Sequence, residues 1–340
     1  LLMDGEEVLK YAVTARLAPA DDYYASDAET IIMPALVSQL KWNGYIWGIP
    51  LQMDPYVLAY HKEQWQALTG DSEPSSTEQI AEVYRQQQLY AVDSLAYAAL
   101  LTSLDPHWLD EIRQEDLRGD NLLEETLEGA WQEILEEPEV SKDPEDLEEL
   151  LEDAAEVEDS PLREVAASSF PLSGSALSSQ AQQPLAEDGL EAPLFFASTD
   201  DAWRDFLAGK IAGMIVPLSE YEQHMASAIE ARLIPSTDGK LSALLTGQSF
   251  VLSADSPYQE EAFRWIRSIS QLYHENMSLI YTNGYPVVMD HYEQGIADRF
   301  ATFPLLLDCI RYGSALAADP RIPDKLEALQ HAVSSRQVDE

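Results

Sequence analysis

Between Asn43 and Trp65 the chain reads NGYIWGIPLQMDPYVLAYHKEQW, which sets Tyr45, Trp47, Asp54, Tyr56 and His61 in one short span. An aspartate accepts hydrogen bonds from hydroxyls or pairs with a cation, and tyrosine and tryptophan rings offer flat apolar faces to a sugar ring or another rigid solute. An architectural role fits the same residues equally well, with Trp47 and Tyr56 filling a core and Asp54 closing a turn. Catalytic chemistry has less to stand on. The sequence contains no GxSxG, no HExxH and no GxxxxGKS/T, and LAGKIAG around Gly209 and Lys210 lacks the glycine spacing that cradles a phosphate. The six histidines, at 61, 107, 224, 274, 291 and 331, are too scattered for a zinc site, and no Asp-x-Asp-x-Asp-Gly loop with a downstream glutamate points to calcium. With 61 acidic residues, paired carboxylates occur throughout and carry no information about glycoside hydrolysis. Cys309, in PLLLDCIRYG, is the sole cysteine and reads as a small buried side chain rather than a nucleophile. The expectation is a protein that binds without catalysing, with no catalytic residue, metal or cofactor.

The elements that would position these residues follow from composition and periodicity. A chain of 340 residues with 46% hydrophobic content can fill two lobes. Its net charge of −41 repels nucleic acid and anionic membrane surfaces. No run approaches the roughly 18 apolar residues of a membrane span, and no leader with a basic flank precedes the chain as given. LLMDGEEVLKYAV predicts a strand end, an acidic turn at Asp4-Gly5 and a helix with Val8, Leu9, Ala12 and Val13 on one face. Asn43-Gly44 predicts a turn into a short aromatic strand that stops at Pro50, and a second strand runs from Tyr56 to Tyr60. A capping box from Ser75 to Glu78 opens a further helix. Between Asp105 and Ser160, 23 acidic residues stand against Arg113, Arg118 and Lys142, on two helices expected to face water. Residues 166 to 193, rich in Ser, Ala, Gln and Pro, read as a long irregular connection. The last third alternates helix and short apolar strand, so the fold class is α/β.

Three cassettes, NGYIWGIP followed by Asp54 and VLAYHKEQW, then FLAGKIAGM, then FVLSADSPYQEEAFRWI, occur in the order found in solute-binding proteins of ABC importers. The chain resembles the maltose-binding-like group of that family over residues 1 to 80 and 200 to 292. It departs from the group's pattern at His61, where the family has an asparagine, and near Ser219, where sugar binders often have a tryptophan and the nearest aromatic here is Tyr221. The tail IPDKLEALQHAV has no aromatic.

The resemblance implies a two-lobed, periplasmic-binding-protein-like α/β fold of type II. One lobe would comprise 1–51 plus 250–298 and the other 56–246 plus 302–340, with hinge crossings near 52–55 and 247–249. It implies capture of a polar solute, a carbohydrate or a similar molecule, and delivery to the membrane permease of an importer, by a monomer at an extracytoplasmic location, periplasmic or lipid-anchored. The implied ligand contacts are Asp4 and Glu6 near the start of the chain, Tyr45, Trp47, Asp54 and Tyr56 in the opening segment, and Tyr221 and Tyr285 further on. It also implies a piece of a longer protein, since the family completes a strand, a helix and a second strand before the point where residue 1 falls. The alternative is a sensor or interaction module that keeps the two lobes without a sugar pocket.

Overall fold

Pro55 to Tyr60 is an unbroken apolar run, the pattern of a strand covered on both faces. In a computed structural model of the chain, which describes residues 1–24, 32–104, 108, 199–237, 239–275, 284–289, 292 and 302–335, this run lies in a strand of 13 residues. The described strands are β1 (Leu2–Asp4), β2 (Leu17–Ala18), β3 (Lys41–Trp42), β4 (Tyr45–Ile46), β5 (Ile49–His61), β6 (Leu89–Ala91), β7 (Gly213–Pro217), β8 (Ile229–Arg232), β9 (Ile234–Pro235), β10 (Leu241–Ser242), β11 (Leu244–Phe250), β12 (Leu252–Ser253) and β13 (Tyr285–Pro286). The described helices are α1 (Gly5–Val13), α2 (Asp21–Tyr24), α3 (Pro34–Gln39), α4 (Lys62–Thr69), α5 (Thr77–Arg85), α6 (Ser94–Leu104), α7 (Thr199–Leu207), α8 (Leu218–Gln223), α9 (Gln259–Glu275), α10 (Phe303–Tyr312) and α11 (Ile322–Ser335). All belong to one compact unit. The acidic helices expected between 105 and 160 and the connection at 166–193 lie outside the described residues.

β5 is the spine of the main sheet, whose order is β1-β11-β5-β7-β6, with β13 and β8 also paired to β5. Its first half lies between β11 and β13, and its second half pairs with β7 and β8. Every pairing is antiparallel except β6 with β7. The stop expected at Pro50 is absent, because the strand runs through both Pro50 and Pro55. A proline cannot donate to a ladder, so it needs a place where no donor is required. Pro50 finds one beside a bulge in β5 itself: Gln248 pairs with Gln52 and the next residue, Ser249, with Pro50, which leaves Leu51 without a partner on β11. Opposite Met53, Gly247 allows the two backbones to meet: a Cβ there would stand 2.1 Å from the Gln52 carbonyl oxygen.

Local signals elsewhere explain the remaining geometry. Asn43 and Gly44 both take positive φ, 51° and 83°, and join β3 to β4 as the two central residues of a tight hairpin. α1 buries Val8, Leu9 and Ala12, while Val13, expected on the same face, is exposed at the last position of the helix. α5 is capped one residue later than expected. Ser76, not Ser75, holds the N-cap and accepts from the Gln79 N–H, and the Gln79 side chain reaches back to the Ser75 N–H at 2.8 Å. α6 is apolar on nearly all sides and is correspondingly buried from Ala96 to Leu101. Trp65 and Phe206 are fully enclosed.

Candidate functional site

The paired strands β5 and β11 carry polar side chains where the surrounding sheet is apolar, and three carboxylates gather about Tyr56. The Tyr56 hydroxyl donates to Asp93 Oδ2 at 2.8 Å. Asp93 Oδ1 in turn accepts from the Ala96 N–H at 2.7 Å, so Asp93 caps the start of α6. Burial raises the Asp93 carboxyl above the usual range, opposed by the N–H groups of Ala96 and Leu95 and by the Tyr56 hydroxyl. Asp93 is nevertheless exposed by surface area. Glu6, in the first turn of α1, belongs to the same group: burial pushes its carboxyl up to about 7, helped by the charges of Asp4, Glu7 and Asp93. Burial, then the charges of Asp93, Asp54 and Glu6, hold the Tyr56 hydroxyl well above its ordinary range.

Asp54 sits on β5 opposite Thr246, whose hydroxyl donates to the Asp54 backbone oxygen at 2.8 Å. Its carboxylate is held by α8, with Oδ1 accepting from the Ser219 N–H at 3.1 Å and Oδ2 from the Ser219 hydroxyl. Burial pushes the Asp54 carboxyl up to about 7 despite these two donors, and Glu220 and Glu222 add to the rise. Further along α8, Glu222 accepts from the N–H of Thr302 at 3.2 Å and from its hydroxyl. On the neighbouring strands Gln52 donates to Gln248 at 3.2 Å, and Gln248 donates to Asp4 Oδ1 at 3.0 Å, a polar chain across β5, β11 and β1.

Of the residues expected to touch a ligand, Glu6, Asp54 and Tyr56 are brought together, and Asp4 joins through Gln248. Tyr45 and Trp47 form a separate pair, ring centroids 6.0 Å apart and edge to face. Trp47 Nε1 donates to the Trp42 carbonyl at 3.0 Å, so this pair is tied to the β3–β4 hairpin. Tyr221 is buried with its hydroxyl 3.5 Å from the Ile229 carbonyl, and Tyr285 is buried beside Met53 with its hydroxyl 3.4 Å from that of Thr302. Asp93, Ser219, Glu222, Gln52 and Gln248 were not legible as site residues. Only Asp93 left a signal, a cap-forming residue three positions ahead of the apolar run AYAALL. Among the described residues no group of three or more His, Cys, Asp or Glu side chains is placed to hold a metal ion, and no helix is long and apolar enough to cross a membrane.

No family model matches this chain, and no curated protein matches it in sequence. Solved structures do match its fold. One is a solute-binding protein of an ABC transporter from Thermotoga lettingae TMO, bound with α-D-tagatose, at TM-score 0.58 and 14% identity, covering 100% of this chain and 80% of that one. A second is the maltose-maltodextrin binding protein of Alicyclobacillus acidocaldarius, at TM-score 0.56 and 11% identity, covering 99% and 79%. A third is a maltose-binding periplasmic protein from Listeria monocytogenes in complex with maltose, at TM-score 0.53 and 13% identity, covering 100% and 78%. The chain therefore has the two-lobed α/β fold of type II periplasmic binding proteins.

Proposed function

We propose that this protein is the extracytoplasmic solute-binding component of an ABC importer, which captures a polar solute between two lobes and hands it to the importer's membrane permease. The observation that carries this reading is the gathering of Glu6, Asp54 and Asp93 about Tyr56, three acceptors on separate elements beside the paired strands β5 and β11. The tagatose and maltose held by proteins of the same fold lend it support. The charges acting most strongly on Glu6, Asp54 and Tyr56 are all acidic. Such a surface accepts hydrogen bonds, so its solute must donate them: a carbohydrate through its hydroxyls, or an amine-bearing molecule through its ammonium group. An anionic solute fits poorly.

In this reading the lobes are 1–51 plus 250–298 and 56–246 plus 302–340, and β5 and β11 cross between them near 52–55 and 247–249. Glu6, Asp54 and Tyr56 touch the solute, and Asp4 joins through Gln248. Tyr45 and Trp47 supply aromatic faces at the rim, and Tyr221 and Tyr285 back the site as buried rings. The protein acts as a monomer, binds without catalysing, and has no nucleic-acid partner. A thermal-shift panel of maltose, mannobiose, tagatose and spermidine tests this. A solute bound only by the folded state stabilises by about 2.7 kcal/mol at 100 times its Kd. A panel that leaves the melting temperature unmoved favours a sensor or interaction module that keeps the fold without the pocket.

A further inference from the structure

Asp54 is gripped from one side by a single residue. Ser219 meets Oδ1 with its N–H and Oδ2 with its hydroxyl, so both carboxylate oxygens bond to the same residue of α8. An ionised carboxylate has about four acceptor sites, two on each oxygen. Two donors from one residue fix its rotation about the Cβ–Cγ bond and leave one acceptor site on each oxygen. α8 is itself held at two further points. Glu220 accepts from Trp203 Nε1 of α7 at 3.1 Å, and Glu222 accepts from Thr302, which directly precedes α10.

We propose that Ser219 is a positioning residue for Asp54: it sets the plane of the carboxylate and leaves the remaining acceptor site on each oxygen for a donor from the solute. This rests on the solute-capture reading for the role of Asp54, while the clasp itself is a matter of geometry. Among the described residues, the titratable groups that act most strongly on Asp54 or feel its charge are Glu220 and Glu222 of α8, Tyr56 on β5, Tyr285 on β13 and Cys309 of α10. None of these is basic, and the two bonds from Ser219 favour the ionised form of Asp54.

The test follows the Asp54 side-chain carboxyl by carbon NMR across pH, in the full chain without solute. In the wild type the midpoint is expected at about 7, and the Ser219 amide proton should titrate with that same midpoint. Ser219→Ala removes the hydroxyl donor and should raise the midpoint by about one unit, about tenfold in proton affinity. Ser219→Thr keeps both donors and should restore it. A purely structural serine would lower the melting temperature without moving the midpoint. An Asp54 midpoint unmoved in Ser219→Ala, an equal shift in Ser219→Thr, or a wild-type Ser219 amide blind to the titration would each overturn the proposal. The wild-type amide measurement decides even if Ser219→Ala fails to fold. No solute enters the experiment, so its failure is distinct from a failure of the solute-capture reading.

Discussion

At the scale of single residues, two carboxyls raised to about 7 make stability depend on pH. For Glu6 and Asp54 the folded state binds protons more tightly than the unfolded chain. Stability is therefore greatest below the unfolded values near 4, falls as pH rises through the interval up to about 7, and is flat above it. The charge of −41 works in the same direction through general repulsion. Substitution isolates the local part: Asp54→Asn and Glu6→Gln should each flatten the decline in melting temperature between pH 5 and 8, and a slope unchanged in both variants would contradict the assignment. Asp54 could be picked out in the sequence because it is a lone acid among apolar and aromatic neighbours. Ser219 and Glu222 could not, since their partners Asp54 and Thr302 are remote in sequence and only the fold brings them together. Trp47 shows the limit from the other side. Its ring was legible as a candidate contact, yet its indole N–H belongs to the hairpin through Trp42.

At the scale of elements, β5 departs most from a residue-by-residue expectation. Pro50 signals a strand end when each strand is considered alone, and it is admitted beside a bulge at Leu51, which has no partner on β11. The bulge is defined only by the pairing of β5 with β11, about two hundred residues apart along the chain, so it is invisible locally. Gly247 lies at the tightest approach of the pair. Gly247→Ala must displace backbone, because its Cβ would meet the Gln52 carbonyl at 2.1 Å, and overpacking of this kind costs about 1–3 kcal/mol or more. Gly44→Ala is the control. No atom lies within 4 Å of its Cβ, so only the positive φ is penalised, at about 1–2 kcal/mol. Chemical denaturation should rank Gly247→Ala as the more damaging, and the reverse order would refute the close-approach account. At α5 the capping motif was legible but its register was not, because Ser75 and Ser76 are equivalent as sequence. Ser76→Ala should cost about 0.5–2 kcal/mol. Ser75→Ala should cost less, since the Gln79 side chain bonds the Ser75 backbone N–H whatever side chain is present. Equal costs, or a greater cost at Ser75, would contradict Ser76 as the cap.

At the scale of the whole molecule, alternation of helix and short apolar strand was enough for the α/β class, and the three cassettes were enough for the two-lobed fold. Neither specified the surface that a solute would meet, since Glu6, Asp54 and Asp93 come from α1, β5 and the start of α6. The central claim is that this acidic surface captures a solute that donates hydrogen bonds. The most direct measurement is a calorimetric titration with a matched series of disaccharides whose one variable position carries a hydroxyl, an ammonium or a carboxylate, against wild type and Asp54→Ala. The account predicts binding of the hydroxyl or ammonium member, no binding of the carboxylate member, and a loss in Asp54→Ala of roughly tenfold to a hundredfold in affinity, as for about 1 to 3 kcal/mol of unpaired donor. Tightest binding of the carboxylate member, or an affinity that Asp54→Ala leaves unchanged, would contradict it.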